Sequence, residues 1–343
     1  MIAAGNGQAH LFDAITGGLL RTLNNPDPAA GDGFGFHVAI DGNYVLIGAV
    51  SDDSVIANGG QAFLFDAATG NLLHSFRDPN PGGADIFGVE VAIDGNTVVI
   101  AANADDTNGV DAGQVFVFDA VTGNLRHTIN SPSPNRVDRF GNSLSISGDR
   151  FLVGSLGDDS NGTDTGRAFL FDANTGALLR TVNDPTPADR DRFGSEVAIH
   201  GDRMLIATSP DNFSGSEGGQ LFLFDVDTGS LLQTFDDPGT ALYTGFGSEV
   251  AMSSDRILIG SPGNFQGETE PGQTYLYNYQ VPEPASVVFL LIGFSTMVAG
   301  VRPQRQALLG QVKPMPKHTL RLRFQLARGW LSRWCPSSGA KQS

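Results

Sequence analysis

Gly113-Gln114-Val115-Phe116-Val117-Phe118-Asp119 decides the fold, because it recurs. Gly60-Gln61-Ala62-Phe63-Leu64-Phe65-Asp66 precedes it and Gly166-Arg167-Ala168-Phe169-Leu170-Phe171-Asp172 follows. The pattern repeats once more from Gly219 to Asp225. Variants stand at the ends, from Gly7 to Asp13 and from Gly272 to Tyr277. Each Gly lies 53 residues from the next. Six occurrences in one register make an internal repeat, and a period near fifty residues means a solenoid, a propeller or an array.

Within one period, residues 87–129, four strand signals appear. Phe87-Gly88 leads into Val91-Ala92-Ile93, and Asp94-Gly95-Asn96 follows as a tight turn. Asp-Gly at that point favours a primed hairpin turn, since Gly and Asn tolerate positive φ. Thr97–Ala101 is an apolar, β-branched second strand. The loop 102–112 leads to a third strand at Gln114–Phe118, and Asp119-Ala120-Val121-Thr122-Gly123 turns into a fourth at Leu125–Ile129. These runs are short and apolar, and none has a 3.6-residue period.

Four antiparallel strands per repeat predict a propeller blade. The all-β competitor, a linear solenoid, normally uses shorter repeats. Met1 aligns with Ser54, inside the loop before a third strand, so the first blade is expected to hold only its third and fourth strands. Complete blades are expected from Phe34, Phe87, Phe140 and Phe193, and a three-stranded one from Phe246. Propellers usually close by sharing a blade between their termini, which removes exposed edges. The expectation is a native ring of six or seven blades whose product begins upstream of Met1.

Composition agrees with short strands and many turns: 40 % hydrophobic residues, only 17 % charged, and 44 Gly. Charge is divided unevenly. Residues 1–280 carry 36 acidic residues against 12 Arg and no Lys, a net charge of −24. Residues 281–343 carry nine basic residues and a single acid, Glu283. So acidic a propeller repels nucleic acid and anionic lipid and attracts cations or basic partners; the same charge also serves plain solubility. With one cysteine, Cys335, no disulfide and no thiolate metal site forms within the chain.

Phe-Gly-x-x-Val-Ala-Ile, Val-Leu-Ile-Gly-Ala (Val45–Ala49) and Gly-Gln-Ala-Phe-Leu-Phe together resemble the FG-GAP repeat of integrin-α-type propellers, over nearly all of residues 1–280. Many blades of that family carry a calcium loop between their first and second strands. Here that connection is only Ile93-Asp94-Gly95-Asn96 or its equivalent, so the family's site does not carry over.

A second resemblance follows the propeller. Val281-Pro282-Glu283-Pro284-Ala285-Ser286 precedes an apolar stretch, 287–301, and then Arg302 and Arg305. Residues 281–305 are similar to a PEP-CTERM sorting signal of exported Gram-negative proteins. That resemblance implies processing by an exosortase-type enzyme and membrane engagement through 287–301. Fifteen apolar residues are short for a full span of about twenty, and the basic residues after them fit a cytoplasmic stop. The alternative is a buried core helix. The basic tail 306–343, with Trp330 and Trp334, reads as an amphipathic surface helix or as read-through without function.

Antiparallel strands put the 1–2 and 3–4 turns on one face of the disc and the longer 2–3 and 4–1 loops on the other, the expected working face. Two acidic columns run across it: Asp52, Asp105, Asp158 and Asp211 with Asn264 next in line, and Asp111, Asp164, Glu217 and Glu270. Asp53, Asp106 and Asp159 sit beside the first column. Asp105, Asp106, Asn108 and Asp111, like Asp158, Asp159, Asn161 and Asp164, set oxygen ligands at close spacing around a Gly. Weak Ca²⁺ binding is one reading; the other is that solvated turns simply contain these residues.

Catalytic patterns are few. His74 and His127 coincide in the repeat but occupy a fourth strand, no Ser lies in a nucleophile elbow, no phosphate loop occurs, and the carboxylates recur in every blade. The expected role is a non-enzymatic binding or structural module of the cell envelope or polysaccharide matrix, held by a polysaccharide or surface-protein partner. A calcium-dependent adhesin is the alternative, and a polysaccharide hydrolase or lyase the third class.

Overall fold

A computed structural model describes residues 2–4, 7–28, 31–209, 219–238, 245–262 and 272–279. These residues form 22 strands in six antiparallel sheets. Four sheets have four strands, hydrogen-bonded in chain order, and they are the complete blades expected from the period. In the blade that follows Phe87 the strands are Glu90–Asp94, Thr97–Ala102, Gln114–Asp119 and Leu125–Asn130. Each bound lies within one residue of the sequence reading.

The three-stranded last sheet, Val250–Met252, Arg256–Ser261 and Gln273–Asn278, is as expected. The first sheet is not. Ile2–Ala4 forms a third strand there, paired antiparallel to Gln8–Phe12 with Ala3 opposite Ala9, so three strands precede the first complete blade instead of two. The repeat alignment placed this stretch in a loop, but short apolar residues beside an open strand edge satisfy their backbone groups by pairing. The expected sorting segment 281–305, its apolar stretch and the tail lie outside the described residues. Among the described residues no helix is long and apolar enough to cross a membrane.

In the four complete blades the second and third strands are largely buried on both faces; Thr97–Ala102 is buried at every position. Alternate side chains therefore serve two interfaces, one with each neighbouring blade. Leu46 and Leu64 pack with Phe87, Ile100, Phe116 and Phe118 of the next blade. Val45, Ile47, Phe63 and Phe65 from the same strands pack toward the preceding sheet with Ala9 and Leu23. The core is thus a series of layers between blades, and no blade encloses one alone.

The Phe-Gly pairs join these layers. Phe87, Phe140 and Phe193 are 0 % exposed and lie 5.3–5.9 Å, ring to ring, from Phe116, Phe169 and Phe222 of their own blades. Their backbone amides donate to carbonyls at the end of the preceding blade's 2–3 loop: Phe87 to Gly59, Phe140 to Ala112, Phe193 to Thr165, at 2.9–3.0 Å. At Gly113, with φ of +85°, a Cβ would stand 2.2 Å from the Phe140 carbonyl oxygen. Only glycine allows the backbones that close.

First strands pack against one another around the axis, and side chains hydrogen-bond the exposed edge of each. Residues 54 apart pair in this way: Val197 N donates to Ser143 Oγ at 3.0 Å, Ile199 N to Ser145 Oγ at 3.1 Å, Gly201 N to Ser147 Oγ at 3.1 Å. Asp41 and Asp94 accept from Gly95 N and Gly148 N at 2.8 and 2.7 Å. In the 1–2 hairpins Gly95 has a φ of +54° while Asn96 keeps a negative φ, so positive φ falls on the first central residue alone, as in a type II′ turn.

Replacing Gly113 by Ala should destabilise the propeller by about 3 kcal/mol or more, since backbone strain and a steric clash coincide. Phe140→Ala should cost about 3–5 kcal/mol through the cavity it leaves. Chemical denaturation followed by circular dichroism measures both; a loss under about 1 kcal/mol for either would remove the joint from its structural role.

Candidate functional site

The 2–3 and 4–1 loops meet, as the strand order requires, and the backbone locks them together. Ala84 N and Ile86 N donate to Ala57 O and Asn58 O, and Val137 and Arg139 repeat this on Val110 and Asp111. Positive φ accompanies each lock: Ala84 68°, Ile86 52°, Val137 67°, Arg139 51°, Arg190 70°, Arg192 53°. For a β-branched residue such as Ile86 this conformation is strained. Between each pair sits an aspartate, Asp85, Asp138 or Asp191. Asp85 and Asp138 are buried and accept from a backbone amide three residues earlier, Gly82 N and Asn135 N.

The sequence-derived candidates divide into four kinds. Asp106 and Asp159 are exposed and clamp their own loops, Oδ1 accepting from Asp111 N and Asp164 N at 2.7 Å. Asp111 and Asp164 take positive φ (51° and 48°), and their carbonyls hold the 4–1 loop. Asn161 Nδ2 donates to Asn183 Oδ1 at 3.2 Å, while Asn108 Nδ2 is buried without a hydrogen-bond partner. Asp105 and Asp158 are 1 % and 0 % exposed and face other buried carboxylates. Asp211, Glu217, Asn264 and Glu270 lie outside the described residues, as do Pro282, Glu283, Pro284, Arg302 and Arg305.

Asp105 meets Asp78 and Asp85, which the sequence reading did not single out. One oxygen from each of the three lies within 4.8 Å of the others, and all three side chains are buried. Burial pushes Asp78 up to about 6, with the charges of Asp105 and Asp85 adding to it. Asp85 is raised in the same way, with Asp105 and Asp106 contributing. A searchable signal existed: Asp-Pro opens the 4–1 loop at Asp78 and Asp184, in the column that reads Asn25, Asp78, Ser131, Asp184.

A second group surrounds the axis. One position of the first strand reads His37, Glu90, Ser143, Glu196 and Glu249 around successive blades. His37 Nε2 lies 3.2 Å from Glu90 Oε2, and His37 Nδ1 accepts from Val91 N at 3.2 Å. Burial pushes His37 below its ordinary value and Glu90 well above its own, with Glu196 and Glu249 adding to the latter. Burial thus disfavours the charged form of both partners in this contact. Glu196 is raised to about 8 by burial and then by Glu249. This column breaks the repeat symmetry with polar residues hidden among apolar strand residues.

The family model described as FG-GAP repeat matches residues 20–65, 78–118, 133–171 and 185–224, each segment spanning the first three strands of one complete blade. No curated protein matches the chain. Layered four-stranded sheets around an axis define a repeat β-propeller. The chain is an FG-GAP-repeat β-propeller.

Glu196 also sets a pH dependence. An unfolded Glu ionises near 4.5 and the folded Glu196 near 8, so between those values the folded chain holds a proton that the unfolded chain has lost. Stability from this group is fullest below about pH 4.5 and declines as pH rises to 8. Urea unfolding should show a loss of about 2 kcal/mol between pH 5 and pH 8, reduced from the full shift because the side chain is not wholly enclosed. Glu196→Gln should remove that share of the slope and leave the share from the raised Asp78 and Asp138; an unchanged slope would exclude Glu196 as a source.

Proposed function

We propose that this propeller is an exported binding or structural module of a Gram-negative cell envelope or its polysaccharide matrix, and that the 2–3 and 4–1 loop face makes the contact. The supporting observation is the contrast between the two faces. One face carries near-identical capped turns, in which Asp66, Asp119, Asp172 and Asp225 each accept from a Thr three residues on. The other carries the strained, acidic loops that vary from blade to blade, and variable loops on a rigid scaffold are where recognition is usually placed.

Export and anchoring rest on the order Pro282-Glu283-Pro284, apolar 287–301, Arg302 and Arg305. An exosortase-type enzyme would act on that segment, with the membrane engaged through 287–301 at least transiently. Calcium-dependent adhesion is the alternative role. A second reading, a polysaccharide-acting hydrolase or lyase, draws on the axial column: a carboxyl protonated near neutral pH, as Glu196 is, can serve as a general acid.

Co-sedimentation of the full chain with purified acidic and neutral extracellular polysaccharide, at low and high salt, tests the binding role. Retention that falls in Asp106→Lys and Asp159→Lys while Glu90→Gln leaves it intact supports the loop face. Absence of retention on every polysaccharide at low salt would end the polysaccharide reading. Release of reducing sugar that stops in Glu196→Gln would move the function to the axis.

A further inference from the structure

We propose that Asp78, Asp85 and Asp105 bind one divalent cation of calcium type at the joint between two blades. This goes beyond the binding role above and does not depend on it. Asp78 and Asp85 come from the 4–1 loop that leaves one blade, and Asp105 from the 2–3 loop of the next. The ion would tie two adjacent blades together.

The repeat supplies its own comparisons. At the Asp78 position each blade uses one side-chain oxygen to cap its turn, accepting from the amide two residues on: Asn25 from Asp27 N, Asp78 from Asn80 N, Ser131 from Ser133 N, Asp184 from Thr186 N. The second polar atom separates Asn25 and Ser131 from Asp78; Asp184 Oδ2 is buried without a partner as Asp78 Oδ2 is, and the residue at its Asp105 position, Asp211, lies outside the described residues. Asn25 Nδ2 donates to Asp32 Oδ2 at 2.9 Å, and Gln61 Nε2 donates to Asp52 Oδ1 at 2.7 Å, so that cluster carries its own donors. Ser131 has no second atom, and there Arg167 Nη2 lies 2.5 Å from Asp158 Oδ2, a cation built into the chain.

The Asp78 cluster has neither device. Its counterpart of Gln61 and Arg167 is Gln114, whose Nε2 turns away to Asn130 Oδ1 at 2.7 Å. Asp78 Oδ2 has no hydrogen-bond partner, on a side chain only 6 % exposed, in a set of three aspartates whose oxygens approach within 4.8 Å. Backbone amides also donate to the cluster: Asn80 N to Asp78, Gly82 N to Asp85, Thr107 N to Asp105. Three buried carboxylates with an orphan oxygen call for a cation, because unpaired buried charge is costly. All the ligands are oxygens, with no His or Cys, which selects a hard ion such as Ca²⁺ over zinc or copper. Strain at Ala84 and Ile86 fits the same purpose, since it holds Asp85 inward between them.

Calorimetric titration of the full chain with CaCl₂ alone, after treatment with EDTA, tests the site with no polysaccharide or protein partner present. The expected result is binding with a Kd of about 10⁻⁵–10⁻³ M and a Tm that rises by roughly 5 °C at a hundredfold excess over Kd. Asp78→Asn, which copies the donor-bearing Asn25, should lower the stoichiometry by one ion and raise the Tm in EDTA. Glu196→Gln should leave the titration unchanged. Two results would overturn the proposal: no calcium heat and no Tm shift in the wild-type chain, or a stoichiometry that survives Asp78→Asn. Failure here would leave the polysaccharide experiment untouched, and failure of that experiment would leave the ion site standing.

Discussion

Everything in this propeller depends on how one blade's Phe-Gly backbone meets the last residues of the previous blade's 2–3 loop. The contact is backbone against backbone, with a Phe amide donating into the loop and a glycine beside it where no Cβ fits. It places the buried Phe at the seam between layers, and from there the alternation of strand side chains toward two neighbours follows. A single blade has both faces of its middle strands apolar, so it cannot shield them without a blade on each side. The 54-residue side-chain bonds along the axis complete the same joint from the inner edge, giving first-strand amides a partner where the sheet offers none.

Much of this was legible in the chain. The period located every complete blade, and the apolar runs located strands to within a residue, because burial on both faces leaves an uninterrupted hydrophobic signature. Ile2–Ala4 escaped because a repeat alignment carries over a loop assignment without asking whether an open strand edge lies beside it. The carboxylate cluster was half seen. Asp105 stood out in its loop, but its partners lie in another loop 20 and 27 residues earlier in the chain, and spacing within one loop says nothing about contacts across a blade joint. Asp106 and Asp111 looked like ligands because clamp residues in a tight loop and ion ligands share one composition; their hydrogen bonds tell them apart.

The axial column was missed for a different reason. Its members differ in type from blade to blade, and a search for identical residues passes over a position that reads His, Glu, Ser, Glu, Glu. Yet these are the positions where a repeat protein acquires individuality. The scaffold columns, the Phe-Gly pairs and the Asp-Thr-Gly turns, are uniform because each must make the same joint. The Asp78 column and the axial column vary because different side chains can meet the same backbone amide there, His37 and Ser143 alike accepting from the next first strand, so charge and chemistry can change there blade by blade.

That uniform joint has a genetic consequence. Each seam uses the same few residues in the same register, so unequal crossing-over that gains or loses one whole 53-residue unit creates a seam already known to fit. Blade number can then drift without a folding barrier, while the varying columns travel with their blades as heritable cargo.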